Sequence, residues 1–376
     1  MKKLLIASAA LAMVAGTAQA QSTVTVYGSI DTGYSSFETK TATSTTTNSG
    51  VVQSSDVTSR WGLRGSEDLG GGMKANFNIE TGIGSGSNGA INPNTDAAGA
   101  WVNTTVLGNR AMWASLVTAG GLEIRGGLQN QFIRDAALAS AADGTTNVVG
   151  NILAGNSGVF ANRHNAISVT QTMGAVKFGA AMTGKSTEVT GAPDVDAGKG
   201  YELMARYAQG KLQFDGAYRK VDSTTAAVAG VTGAYPAAAT TPTIGVTAAA
   251  ATGSETETTV ISASYNFGPV KAFAGYGTQD ILNTISQAKS EREVMTFGVN
   301  GNVNAKTQLF ATYSTGETKA DAASAALDID GYVVGARYSL SKRTTAYAVY
   351  GARDTNTTTT AVTKDKQYAF GLNHAF

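Results

Sequence analysis

Apolar and polar residues alternate along most of this chain with a period of two. In the stretch from Val24 to Asp31, Val24, Val26, Gly28 and Ile30 share one face, and Thr25, Tyr27, Ser29 and Asp31 share the other. The stretch from Met73 to Glu80 repeats the arrangement, with Lys74, Asn76, Asn78 and Glu80 opposite Ala75, Phe77 and Ile79. So do Tyr201 to Tyr207 and Leu212 to Arg219. Successive side chains of a strand point to opposite faces, so each segment predicts a strand with one apolar and one polar side. Short connections at 70–72, 119–121, 173–175, 209–210 and 268–269 alternate with long polar stretches at 38–56, 82–100, 131–160, 185–199, 222–255, 280–291 and 317–328. A soluble sandwich also alternates, but short turns on one rim and long loops on the other are the layout of a membrane barrel, and long structureless loops are uncommon in compact soluble domains. Segments of about ten residues number sixteen, an even count that returns the chain to the short-turn rim. The expected fold is all-β: a 16-stranded antiparallel transmembrane β-barrel with short periplasmic turns and long extracellular loops.

The two ends agree with this. Met1-Lys2-Lys3 is a positive n-region, Leu4 to Val14 a short apolar core, and Ala18-Gln19-Ala20 a small-residue cleavage site. Residues 1–20 therefore read as a cleaved signal peptide, too short in its apolar run for a membrane helix. Residues 21–376 read as the barrel, and no later stretch approaches 18 uninterrupted apolar residues. At the other end Tyr368, Phe370, Leu372, His374 and Phe376 fall on every second position. Such a strand finds its place by pairing with the first strand, which removes the barrel's open edge, with its aromatic residues in the interfacial girdle.

Composition narrows the chemistry. Of 28 Lys and Arg, the signal takes Lys2 and Lys3, leaving 26 against 27 acids. That near-neutral balance argues against nucleic acid as a partner. There is no cysteine, so no disulfide, and only His164 and His374 are available to a metal site or a histidine-dependent triad. Gly82-Ile-Gly84-Ser-Gly86-Ser reads as a loop, since no lysine or helical pattern follows it as a phosphate cradle requires. The threonine run at 39–47 and the Ala/Thr-rich stretch at 226–259 read as surface loops. No catalytic residue, metal or cofactor is expected. A barrel hydrolase would have to use one of two histidines, and an adhesin would more naturally pair a smaller barrel with a passenger domain.

Several segments carry a resemblance. Ser22 to Asp31, the run Ser59-Arg60-Trp-Gly-Leu-Arg64-Gly-Ser-Glu67-Asp68-Leu-Gly-Gly-Gly-Met-Lys-Ala75, Tyr338 to Tyr347, and Gly371-Leu-Asn-His-Ala-Phe376 resemble Gram-negative general-diffusion porins of the β-proteobacterial (Neisseria and Burkholderia) type. The resemblance implies a homotrimer in the outer membrane, in contact with its lipid and lipopolysaccharide. It implies an inward-folded third loop, here 131–160, and passive diffusion of small hydrophilic solutes and ions without catalysis. Tyr368, Phe370, Leu372 and Phe376 would be the strand read by the barrel-assembly machinery.

Alternation assigns the inner wall. Trp61 and Leu63 face lipid, so Arg60 and Arg64 point inward; Leu122 and Ile124 leave Glu123 and Arg125 inside. Lys177, Arg206, Lys211, Arg219 and Arg337 are inward by the same test, because a cation facing hydrocarbon costs a few kcal/mol near the midplane, on the order of 2–4. Arg110 opens a strand whose faces are both apolar. By the resemblance, Arg60, Arg64, Arg110 and Arg125 form a constriction cluster facing Asp135 and Asp143 on the inward loop. The resemblance also favours an inward arginine on the next strand. Strict alternation from Ile167 and Val169 instead puts Arg163 outside and His164 inside, so either a bulge shifts the register or Arg163 snorkels at the rim. The excess of inward arginine and lysine points to mild anion preference.

Overall fold

A computed structural model of the protein describes residues 22–83, 107–139, 163–187, 195–225, 252–320, 327–357 and 362–376. They form seventeen strands in one antiparallel sheet. In chain order these are β1 Thr23–Lys40, β2 Thr45–Gln53, β3 Arg60–Gly70, β4 Met73–Gly82, β5 Ala111–Val117 and β6 Glu123–Asn130. The helix α1, Phe132–Ala139, follows. After it come β7 Arg163–Met173, β8 Val176–Thr187, β9 Val195–Gln209, β10 Leu212–Thr225, β11 Thr252–Asn266 and β12 Val270–Asn283. The rest are β13 Lys289–Asn302, β14 Thr307–Ala320, β15 Leu327–Ser339, β16 Thr344–Thr357 and β17 Thr363–Ala375. Apart from β2 and β3, which both pair with β1, each pairs with its neighbours in sequence, and β17 returns to β1 with Ser29 opposite Ala375 and Lys40 opposite Lys364. Closure of β17 on β1 pairs the two ends of the sheet, the condition for a sheet in hydrocarbon.

Seventeen strands fill sixteen wall positions, because β2 and β3 share one. β1 pairs with β2 over residues 32–40 and with β3 over 23–29, and the shared wall is interrupted at 54–59. The expectation of a loop over 38–56 is therefore corrected. Thr45, Thr46, Thr47, Val51 and Val52 are β-branched residues suited to a pleated surface, and their pairing satisfies backbone groups that the upper part of β1 would otherwise leave open. Four of the other expected loops are entered by strand in the same way. Strands reach Thr187, Thr225, Asn283 and Ala320, and resume at Val195, Thr252, Lys289 and Leu327. The threonine run and the end of the Ala/Thr-rich stretch thus belong partly to the wall.

The two faces follow the alternation. Outward are Val24, Val26, Ile124, Ile167, Met182, Phe214, Ile261 and Phe297, all exposed in the isolated barrel. Aromatic pairs mark the boundaries of this apolar surface: Tyr201 with Tyr218 and Tyr332 with Tyr350 toward the long-loop rim, Tyr265 with Phe267 at the short-turn rim. Tyr368, Phe370 and Leu372 of the terminal strand lie on the same outer face, each about half exposed, and Phe376 hydrogen-bonds through its backbone to Gly28. Inside, two apolar clusters sit on different parts of the wall. One joins Phe132, Ile133 and Ala136 of α1 to Ala166, Ala181, Ala217, Val260 and Val294. The other, Phe273, Phe310, Val333, Tyr347, Val349 and Ala369, belongs entirely to β12–β17.

Candidate functional site

Helix α1 turns into the lumen directly after β6 and packs against β9, β10, β11 and β12. Its sequence permits this in only one orientation. Phe132, Ile133 and Ala136 lie one helical turn apart and are buried against the wall, which leaves Arg134 and Asp135 on the other side. The wall presents small residues, Ala181 and Ala217, where the large side chains dock. Two polar contacts pin the ends: the Phe132 N–H donates to Glu202 Oε2 at 2.6 Å, and Ser262 Oγ donates to the Ala136 carbonyl at 2.9 Å. A carboxylate at a helix N-terminus satisfies an amide that has no partner within the helix. Glu202 is fully buried and ion-paired with Arg219 at 3.0 Å and near His164 Nδ1 at 3.5 Å. His164 is thus inside, as alternation requires.

Across from α1, Glu80 gathers the arginines. Arg110 Nε donates to Glu80 Oε1 at 2.7 Å, and Arg60 Nε lies 3.4 Å from Oε2. Tyr27 donates its hydroxyl to both Asn78 and Glu80, at 2.8 and 3.1 Å. Arg64 stacks over the Tyr27 ring at 5.1 Å. Arg125 lies 4.0 Å over the inward Trp113 ring and donates to Glu123 Oε1 at 2.8 Å, which settles the faces of β5. Arg163 keeps the regular pairing of β6 and β7, Asn130 opposite Arg163 and Gln129 opposite His164, so no bulge shifts it. As the first residue of its strand it nevertheless has Arg110, Arg134, Glu80 and Arg60 as electrostatic neighbours. Lys211, expected on the wall, is exposed in the β9–β10 turn instead, because the strands end at Gln209 and resume at Leu212.

Four arginines, Arg60, Arg110, Arg134 and Arg163, therefore share the surroundings of one carboxylate, Glu80. Elsewhere on the wall the described residues include one-to-one pairs: Arg206 with Asp215, Arg219 with Glu202, Arg337 with Asp56, Arg353 with Asp365. Asp135 accepts a hydrogen bond from Asn130 Nδ2 at 2.9 Å. Burial pushes its carboxyl above the usual range, against the opposing pull of Asn130, Arg206, Arg134 and Arg125. Burial, with the nearby Arg110 charge, holds the Arg134 guanidinium below its ordinary value. Asp143 lies outside the described residues. Of the sequence-nominated set, Arg60 and Arg110 come together on Glu80, and Arg64 and Arg125 stand on aromatic rings below and beside them. Glu80 and Glu202 were visible as polar positions of alternating strands, but nothing in the pattern marked their partners. Arg134 carried no signal beyond its place next to Asp135.

The profile of the Gram-negative porin family matches residues 7–358. The chain belongs to the Gram-negative porin family. The porin barrel accordingly sits in the outer membrane. This porin is 44% identical over 98 residues to an outer membrane porin of Bordetella pertussis, covering 23% of this chain and 26% of that protein. It is 50% identical over 80 residues to outer membrane porin protein 32 of Delftia acidovorans, covering 21% and 22%. The chain thus spans about a quarter of the length of these curated relatives. Among solved structures, an anion-selective porin from Comamonas acidovorans superposes with a TM-score of 0.68 at 20% identity, over 95% of this chain and 100% of that one. OmpT of Vibrio cholerae gives 0.64 at 15% identity, over 94% and 98%.

Proposed function

We propose that this porin is a water-filled channel for passive diffusion of small hydrophilic solutes and ions, with a mild preference for anions and no catalysis. The observation that carries the preference is the arginine excess around Glu80: among the described residues Arg60, Arg110, Arg134 and Arg163 surround this carboxylate, with Asp135 the other acid acting on Arg134. Fixed charge in a narrow aqueous passage concentrates counter-ions and repels co-ions, and low-dielectric walls strengthen the field. Arg60, Arg64, Arg110, Arg125, Arg163 and Asp135 are assigned to the constriction, with Arg134 and Glu80 added to them; His164 is assigned to anchoring. Asp143, outside the described residues, is assigned to the constriction from the sequence alone. The relative named as an anion-selective porin supports the same direction.

The assembly is assigned as a homotrimer, a state named for one Vibrio cholerae relative. The wall itself favours it. β4, β5 and β6 have only ten, seven and eight residues, at or below the roughly 9–11 that a tilted strand needs to cross the hydrocarbon. Contact with a second protomer would shield that short sector from lipid. Elsewhere the wall meets lipid and lipopolysaccharide, and β17 is assigned as the segment engaged by the barrel-assembly machinery. Planar-bilayer recording of the purified oligomer tests the channel. Stepwise openings in groups of three are expected; a protein that inserts without conducting contradicts the channel reading.

A further inference from the structure

The break between β2 and β3 is neither loop nor bulge. Residues 54–59 bend into the lumen and lie against the seam where β17 meets β1. Asp31 organises the bend from the inner face of β1. Its Oδ1 accepts the Ser55 N–H at 2.8 Å, its Oδ2 accepts the Val57 N–H at 3.3 Å, and its backbone N–H donates to Ser59 Oγ at 2.9 Å. The Tyr347 hydroxyl on β16 donates to the same carboxylate at 3.0 Å. Ser54 adopts a positive φ of 65° to make the turn, and its hydroxyl accepts the Ser59 N–H at 2.8 Å. The tip reaches farther still: Arg337 on β15 donates to both Asp56 oxygens, at 2.8 and 2.5 Å, while lying 5.0 Å over the Phe310 ring. Six residues thus cross β1, β17 and β16 to contact β15. Asp31, Ser55, Asp56 and Tyr347 are all buried although they face an open lumen.

We propose that this elbow is a second constriction element, which limits the pore from a side not occupied by α1, with Asp56–Arg337 as its latch. The inference rests on the channel reading above and extends it to a wall where the arginine cluster has no part. A buried bidentate pair holds its geometry because freeing either partner leaves an uncompensated charge, so the elbow is fixed in the passage rather than sampling it.

The test uses the full-length oligomer in planar bilayers, with unit conductance and polymer exclusion as readouts. The double variant Asp56→Ala with Arg337→Met removes the latch without orphaning a charge. Unit conductance should rise by roughly 1.5-fold, as expected for a widened constriction, and larger polyethylene glycols should enter. A second variant covers failure to fold. The chain has no cysteine, so Val57→Cys provides a unique thiol at the half-exposed tip. A bulky thiol reagent added during recording should lower conductance in discrete steps. Parent-like conductance and exclusion in the double variant, or a modified Val57→Cys channel that conducts unchanged, overturns the elbow's role in the pore and reduces it to a clasp on the seam. A parent that does not conduct overturns the channel reading and this inference together.

Discussion

Among the described residues two pieces of chain fold into the barrel, and the balance of apolar and polar contacts that holds them differs. α1 is docked by apolar burial, with Ile133 fully enclosed and small wall residues receiving it. The 54–59 elbow is held almost wholly by buried polar contacts to Asp31 and Arg337. The difference matches what each presents to the lumen. A helix docked on one apolar face is free to carry charge on the other, and α1 carries Arg134 and Asp135 there. An elbow with its polar groups turned to the wall has consumed its charge in being held. The proposed electrostatic selection accordingly belongs to the side of α1 and Glu80, and the proposed contribution of the seam side is shape.

The sharpest way to break this division is Ile133→Asp. A carboxylate placed in that apolar socket should cost at least about 3 kcal/mol of docking and release α1, with noisy, enlarged unit conductance in bilayer recordings. The corresponding attack on the elbow, Asp31→Asn, removes one charged acceptor but keeps the shape. It should cost about 2 kcal/mol, read as a lower temperature for loss of the folded barrel on heating, with ion preference unchanged. Selectivity should move when the charge balance around Glu80 is altered. Glu80→Gln is expected to strengthen anion preference and Arg60→Ala to weaken it, each by an energy of about 1 kcal/mol or less in a partly solvated pore, measured as opposite shifts in reversal potential.

The smallest effect is a titration. The Asp135 carboxyl is raised by burial, so it takes up a proton at higher pH than a free aspartate, whose value is about 3.9. A raised carboxylate favours the docked helix below the ordinary range, and that contribution is lost as pH rises through the raised value. Acid should therefore tighten α1, and anion preference should grow as the negative charge beside Arg206, Arg134 and Arg125 disappears. Asp135→Asn should abolish that step in the pH dependence of reversal potential.

Alternation made the wall legible, since side chains that face lipid must be apolar and those that face water need not be. It assigned Arg60, Arg125 and His164 to the lumen without any knowledge of their partners. It read residues 38–56 as a loop because polar threonines and serines fill both faces there, yet β-branched threonine pairs well where the outer face lies near the rim. The elbow was illegible for a different reason. Asp56 and Arg337 are 281 residues apart in sequence, and closure of the barrel alone makes them neighbours. Arg163 shows the limit of the period-two rule: at the first residue of a strand the long side chain, not the backbone register, decides where the charge is felt.

The most direct measurement is the reversal potential of the unmodified protein across a potassium chloride gradient. With Arg60, Arg110, Arg134 and Arg163 around Glu80, the sign should be that of chloride permeating faster than potassium. It should move toward zero in Arg60→Ala and when salt is raised enough to screen the cluster. A potential of the opposite sign, or one that ignores Arg60→Ala, would contradict the assignment of selectivity to this cluster.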